Sequence, residues 1–466
     1  MTTDLTQATA AELSGLYASK QASPVEAMSA VLARAERINP RLNALTLIDA
    51  EPSLEAARIS ESRWRAGAPL SPLDGVPVSI KELVRTAGWP LTMGSRLTDK
   101  SLAVEDAPAV ARLREAGAIV FAQSASPEYG YKGVTDSPLH GITRNPWSLE
   151  RTPGGSSGGA GAAVAAGLGP LAIGTDGGGS VRIPASMCGL VGLKATLGRV
   201  PAWPASMHGD LANTGPMTRT ALDCALMMNA IARPDARDPF ALPPEGVSYA
   251  GALGRPLAGR KVAFILHPGD HALDEQVAAS VGVAARRFES LGCVVEEAKP
   301  PFDNAEAGMI WAVHWMSSIQ RLLQLYPEER HREFDPGLLE QARIGASFTV
   351  QDLVNAQARR REIAHRWNLF FTRYDFLVGP TLAVLPWGVG RNTPDGPDGK
   401  RNLNWACTAV FNLTRHPAVS VPCGLSGDGL PIGLQIVAGH YKDAEVLAAA
   451  AAFQEAAPFA FPVLPA

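Results

Sequence analysis

The sequence predicts an α/β fold, a β-sheet covered by helices on both faces. Three observations carry this. Strand and helix patterns alternate along much of the chain. Residues 118–122, AIVFA, form a strand pattern with no polar face, as in the middle of a covered sheet. Apolar residues make up 46% of the chain and charged residues 19%, enough for a large core and too apolar for disorder.

The elements follow in order. Ser23, Pro24 and Glu26 open the first clear helix as N-cap, N1 and N3. Val25, Met28, Val31 and Leu32 continue it at helical spacing. A second amphipathic helix is expected over 56–66. Residues 72–81, PLDGVPVSIK, read as a turn and then a strand. Alternation puts Val76, Val78 and Ile80 on one face and Ser79 and Lys81 on the other. A helix over 109–116 stops at Gly117, before the 118–122 strand. A small-residue helix is expected over 158–167 and a strand over 171–174. Further on come a strand (261–266), a helix (274–291) and a strand (293–295). Residues 303–367 read as mostly helical, and 382–404 as a long Pro/Gly-rich loop. Strands at 418–421 and 432–437 and a helix at 444–456 complete the chain. No internal repeat is evident.

Bulk properties exclude some classes. A net charge of -3 gives no electrostatic case for nucleic acid or an anionic membrane. The first twenty residues lack a secretory-signal pattern, and no apolar run reaches membrane-span length. The five cysteines are scattered without CxxC or metal-ligand spacing. A cytoplasmic protein with buried free thiols, no metal and no cofactor is expected. At 466 residues, length alone suggests two or three domains, though an α/β sheet can run through one unit.

The densest chemical signal lies in two loops, TPGGSSGG at 152–159 and GTDGGGSVRIP at 174–184. Glycines let the main chain approach a ligand closely. A Gly-Gly-Gly-Ser run can turn successive N–H groups into one concavity, which in an acyl-transfer enzyme serves as an oxyanion hole. One such loop is commonly structural. Two serine-bearing ones, a helix and a strand apart, argue for a site. Residues 155–159 also fit a G-x-S-x-G nucleophile elbow. That motif needs a strand just before it, and RNPWSLERTP at 144–153 cannot form one. A phosphate-binding loop fails too, because no Lys-Ser/Thr follows the glycines.

These stretches resemble the amidase signature family. Matching motifs are PLDGVPVSIKEL from Pro72, TPGGSSGG from Thr152, GTDGGGSVRIPA from Gly174, CGLVGLKAT from Cys188, GPMTRT from Gly215 and GLPIGLQIVA from Gly429. The likeness runs from about residue 5 to the C-terminus. It is most specific over 72–220 and weakest over 300–405. It implies one amidase signature domain over 1–466, built on a large mixed, twisted sheet. It implies a Ser–Ser–Lys triad, with Lys81 as base, Ser156 as bridging serine after a cis Gly155–Ser156 bond, and Ser180 as nucleophile. Gly177, Gly178 and Gly179 would form the oxyanion hole. Asp176 and Arg182 would pair and brace the nucleophile loop, with Ser157 in support as a helix cap. Tyr129 and Gly130 would border the acyl pocket. Gly177 stands where the family commonly has Thr or Ile, so a looser loop is expected.

The chemistry is coherent in itself. A serine hydroxyl needs a base before it attacks. An exposed lysine titrates near 10.4, but burial disfavours the ammonium and lowers that value. A neutral Lys81 could therefore accept the Ser180 proton through Ser156. The expected activity is hydrolysis of a small amide, anilide, carbamate or ester, with no nucleic-acid or membrane partner; a homodimer stays open. Two other readings stand beside it. One is the catalytic component of a glutamine-dependent tRNA amidotransferase, which SPEYGYKG at 126–133 resembles less than it does free-standing amidases. The other is a silent binding protein on the same scaffold, against which the intact Lys81, Ser156 and Ser180 argue. Trp203, Met207, Trp311, Trp315 and Trp387 are expected to pack in the core rather than touch substrate. His140, His208 and His314 are expected to be structural.

Overall fold

The computed structural model describes residues 4–269, 272–396 and 398–461. Its strands in chain order are β1 (Leu45–Ile48), β2 (Pro77–Lys81), β3 (Ile119–Ser124), β4 (Asp136–Ser137), β5 (Gly141–Ile142), β6 (Leu171–Asp176) and β7 (Val191–Lys194). They continue as β8 (Asn213–Thr218), β9 (Lys261–Phe264), β10 (Val294–Glu297), β11 (Phe376–Pro380), β12 (Ala418–Leu425) and β13 (Pro431–Ala438). β4 and β5 pair with each other. The rest form an 11-stranded sheet in the order β1-β3-β2-β6-β8-β7-β12-β13-β11-β9-β10. β3, β2 and β6 run parallel, as do β11, β9 and β10, and the remaining neighbours are antiparallel. The predicted mixed α/β sheet is therefore present.

Both faces are covered. Alternate residues of one strand enter different clusters, as the period of two requires. Val262, Phe376 and Ile436 join one core with Val281, Phe288, Leu447 and Phe453 of the Glu275–Ser290 and Asp443–Ala456 helices. Ala263, Leu377 and Val437 join another with Trp315, Ile319, Ile363 and Trp367 of the Asn304–Leu323 and Val350–Phe370 helices.

The capping box at Ser23 and Glu26 opens the Pro24–Leu42 helix as expected. The next helix, Ala50–Arg65, starts six residues before the expected 56. Pro52 imitates a break there, yet proline is tolerated in a first turn, where its missing N–H would have no partner. β6 runs two residues past the expected 174, because Thr175 and Asp176 pair with Thr214 and Asn213 of β8. Neighbouring strands, not local pattern, set that length. The Gly158–Ala165 helix is wholly buried. A β-carbon on Gly159 would lie 2.4 Å from the Ala125 nitrogen, so only glycine lets this helix lie so close to the chain leaving β3.

Candidate active site

Lys81 is the last residue of β2, and β6 runs parallel beside it with Ile80 opposite Ile173. The carboxyl ends of both strands therefore open on one edge, where α/β sheets place their ligands. Ser156 and Ser157 arrive at the start of the Gly158–Ala165 helix, and Gly177 to Ser180 follow β6. Lys81 is 0% exposed. Its Nζ lies 2.7 Å from Ser156 Oγ, 2.9 Å from Ser157 Oγ and 2.9 Å from Thr175 Oγ1. Burial pulls the ammonium down to about 7, and the opposing charges of Asp176 and Glu82 only partly offset this. Near neutrality Lys81 is poised between base and acid.

The two serines differ. Ser157 Oγ donates to the Thr175 carbonyl at 3.1 Å and accepts from the Thr175 N–H at 3.2 Å. Its single proton is thus engaged, and toward Lys81 it can only accept. Among the described residues Ser156 Oγ has no such competing acceptor, so it can donate to a neutral amine. The expected capping by Ser157 does not occur; its side chain makes no cap hydrogen bond, because Lys81 and Thr175 hold it. The peptide bond Gly155–Ser156 is cis. Ser180 Oγ has no hydrogen-bond partner among the described residues, and the residue keeps 7% of its surface exposed. Its carbonyl accepts from the Ser157 N–H at 3.1 Å, which ties the two serine loops together.

Asp176 and Arg182, both wholly buried, form the expected pair. Arg182 Nε donates to Asp176 Oδ2 at 2.9 Å and Nη2 to Oδ1 at 2.9 Å. Burial pushes the Asp176 carboxyl up, but the Arg182 charge, the Arg182 and Asn412 hydrogen bonds and nearby Lys194 outweigh it and hold the group at about 2. Arg182 also reaches the Thr408 carbonyl (2.9 Å), Gln435 Oε1 (2.8 Å) and Asn412 Oδ1 (2.7 Å). Asp176 in turn takes the Gly179 N–H at 2.7 Å and the Val181 N–H at 3.3 Å. Gly179, at φ +129°, is therefore a bracing residue whose donor is engaged. The N–H groups of Gly177, Gly178 and Ser180 have no partner among the described residues and can receive an oxyanion. Asp176→Asn removes the charge opposite a buried guanidinium, and such losses cost about 3–5 kcal/mol. We expect a clear drop in the urea midpoint; an unchanged midpoint would refute the bracing role.

Tyr129 adopts φ +51° in the Glu128–Gly130 turn, and its hydroxyl meets that of Tyr326. A β-carbon on Gly130 would lie 3.2 Å from Ser156 Oγ, so this glycine abuts Ser156. Trp203 Nε1 instead meets Glu105 at 3.2 Å, and Trp387 packs on Trp405. His140 Nε2 lies 3.0 Å from Glu82 Oε2, beside Lys81 in sequence. His208 stacks on Trp315. Trp311, half-buried, packs against the core cluster that holds Trp315, and its Nε1 donates to the Gly177 carbonyl at 3.0 Å. The space a side chain would take at Gly177 is filled by Trp315, whose Cζ3 would lie 2.8 Å from a β-carbon there. The glycine leaves room for this bulky neighbour.

Sequence reading missed Thr175, Thr408, Asn412 and Gln435. Thr175 sits inside the recognised 174–184 motif, and its neighbourhood to Asp176 was the available signal. The other three lie more than 220 residues beyond the loop they brace, and no local pattern marks them. Among the described residues no three His, Cys, Asp or Glu side chains gather as a metal-binding group, and no helix is long and apolar enough to cross a membrane.

Likeness to known proteins extends over nearly the whole chain. The family model described as Amidase matches residues 26–447. The chain is 39% identical to an acylamidase of Rhodococcus erythropolis, over 97% of this chain and 96% of that protein. It is 33% identical to a glutamyl-tRNA(Gln) amidotransferase chain of Chromobacterium violaceum, over 97% and 98%. Among solved structures, a bacterial aryl acylamidase of the amidase signature enzymes superposes with a TM-score of 0.89 at 34% identity, covering 97% of this chain and 96% of that one.

Proposed function

The chain belongs to the amidase signature family and hydrolyses amide C–N bonds; from that premise we propose that Lys81, Ser156 and Ser180 carry out the reaction through an acyl-enzyme. The observation that carries this reading is a buried Lys81 with its Nζ 2.7 Å from Ser156 Oγ, on a serine loop tied to the Ser180 loop by the 3.1 Å bond from the Ser157 N–H to the Ser180 carbonyl. Neutral Lys81 takes the Ser156 proton while Ser156 takes that of Ser180. Ser180 Oγ bonds to the carbonyl carbon, and the oxyanion is held by the free N–H groups of Gly177, Gly178 and Ser180. Collapse breaks the C–N bond. The leaving amine receives a proton from Ser156, which Lys81 replenishes. Water, deprotonated by the same relay, then attacks the acyl ester, and the acid departs as Ser180 regains its proton. The residues 1–466 work on this reading as one domain, in the cytoplasm, without a nucleic-acid partner. Anilides, carbamates and esters share the acyl carbon and fit the same cycle.

A fluorophosphonate should add covalently to Ser180, read by peptide mass. An adduct on another serine, or none, sinks the assignment. A screen of p-nitroanilides, aryl carbamates and glutamine then separates the readings: turnover of glutamine alone would favour a tRNA amidotransferase component over a stand-alone amidase.

A further inference from the structure

Lys81 has a buried carboxylate as its next neighbour in the chain, and the proton relay makes no use of it. Glu82 is 0% exposed. Among the described residues four donors meet it. Oε1 accepts from the Ser126 N–H at 2.8 Å and from Ser126 Oγ at 3.1 Å. Oε2 accepts from Thr92 Oγ1 and lies 3.0 Å from His140 Nε2. A carboxyl group that meets only donors is ionised. Burial pushes the Glu82 carboxyl up, but the hydrogen bond and charge of His140 and the bonds from Thr92 and Ser126 outweigh this and hold it below its ordinary value.

These partners frame the turn beside Ser156. Ser126 opens the stretch that runs to Gly130, where a β-carbon would lie 3.2 Å from Ser156 Oγ. Thr92 precedes Met93, whose carbonyl accepts from the Tyr129 N–H at 2.7 Å. The Glu82 N–H donates to the Ser124 carbonyl at 3.1 Å. One residue therefore fastens the end of β2, the chain leaving β3 and the Tyr129–Gly130 turn. Its charge is also separable from that of Asp176, the other carboxylate that acts on Lys81. Asp176 is matched by the permanent cation of Arg182. Glu82 is matched by neutral donors and by an imidazole, which carries charge only when protonated.

We infer that Glu82 is a positioning residue for the reaction: its carboxylate locks the strand end that carries Lys81 to the turn beside Ser156, and its negative charge sets the pH range in which Lys81 can act as base. This rests on the triad reading above. A nearby negative charge favours the ammonium, so removing it lets Lys81 lose its proton at lower pH. Glu82→Gln makes that change with little else. The Ser126 N–H can only donate, and the amide oxygen takes it. Thr92 Oγ1 and a neutral His140 can each accept instead, and the amide nitrogen donates to them.

The test is the pH profile of kcat/KM on one p-nitroanilide, with folding checked by urea midpoint. In Glu82→Gln the rising limb should move to lower pH, so that near pH 5.5 the fraction of the plateau retained is about threefold that of wild type or more. Glu82→Asp keeps the charge but shortens the reach; its limb should stay at the wild-type pH while kcat falls with little change in KM. Ser126→Ala removes one hydroxyl donor and leaves the charge, and its limb should also stay. A Glu82→Gln limb at the wild-type pH overturns the inference. So does an equal displacement in Glu82→Asp or Ser126→Ala, since disturbed packing rather than charge would then move the limb. If Glu82→Gln does not fold, Glu82→Asp decides: a wild-type limb with lowered kcat upholds the inference, and a displaced limb overturns it. A limb that persists in Lys81→Ala would instead bring down the triad reading, so the two failures are distinguishable.

Discussion

Ser180→Ala is expected to lower amide hydrolysis by about 10⁴-fold or more while leaving the protein folded. The size follows from the reaction: without the hydroxyl no acyl-enzyme can form, and only binding and oxyanion stabilisation remain. The intact fold follows from the surroundings. Ser180 Oγ makes no hydrogen bond among the described residues, so its loss leaves no buried group unpaired. The backbone carbonyl that accepts from the Ser157 N–H is retained. The urea midpoint should match wild type within about 0.5 kcal/mol. Wild-type turnover in the purified variant would remove Ser180 from the mechanism. A collapsed midpoint would mean that its role is structural.

The second large effect is the dependence on the Lys81 proton. Below about 7 Lys81 is increasingly the ammonium, which cannot accept from Ser156; above it the neutral amine prevails. The sign is therefore a rate that rises with pH. kcat/KM should climb tenfold per unit on the acid side and level off above neutrality, so that near pH 5 the wild type retains about 1% of its plateau. Lys81→Ala should lower kcat by about 10³-fold or more, and its residual rate should lack this limb. Lys194, also wholly buried and also pulled to about 7 by burial, is an internal control. It donates to the Ala195 carbonyl at 2.9 Å, with no serine among its partners. The limb should therefore survive Lys194→Met. A limb that persists in Lys81→Ala, or vanishes in Lys194→Met, assigns the proton elsewhere.

Much of this site was legible in the chain. Glycine and serine crowding at 152–159 and 174–184 marked a backbone built for close approach, and the lack of a strand before residue 155 argued against Ser157 as a nucleophile on an elbow. The strand ending in Lys81 could be read from alternation. Helix starts were legible where capping chemistry is local, as at Ser23, and less so at Ala50, where a proline in the first turn imitates a break.

What the sequence determined by itself is the set of reactive groups and their order: a lysine closing one strand, a serine pair opening a helix, a glycine run leading to another serine. Tertiary structure decided their states. Lys81 is drawn toward the neutral amine only because folding buries it completely. Ser156 rather than Ser157 is free to donate because Thr175 of a neighbouring strand engages the Ser157 proton. The loop before Ser180 is held by Thr408, Asn412 and Trp311, which reach it from distant parts of the chain. The physical reason is common to all three. Protonation and hydrogen-bond direction depend on desolvation and on which partners arrive in space, and neither is encoded in the spacing of residues along the chain.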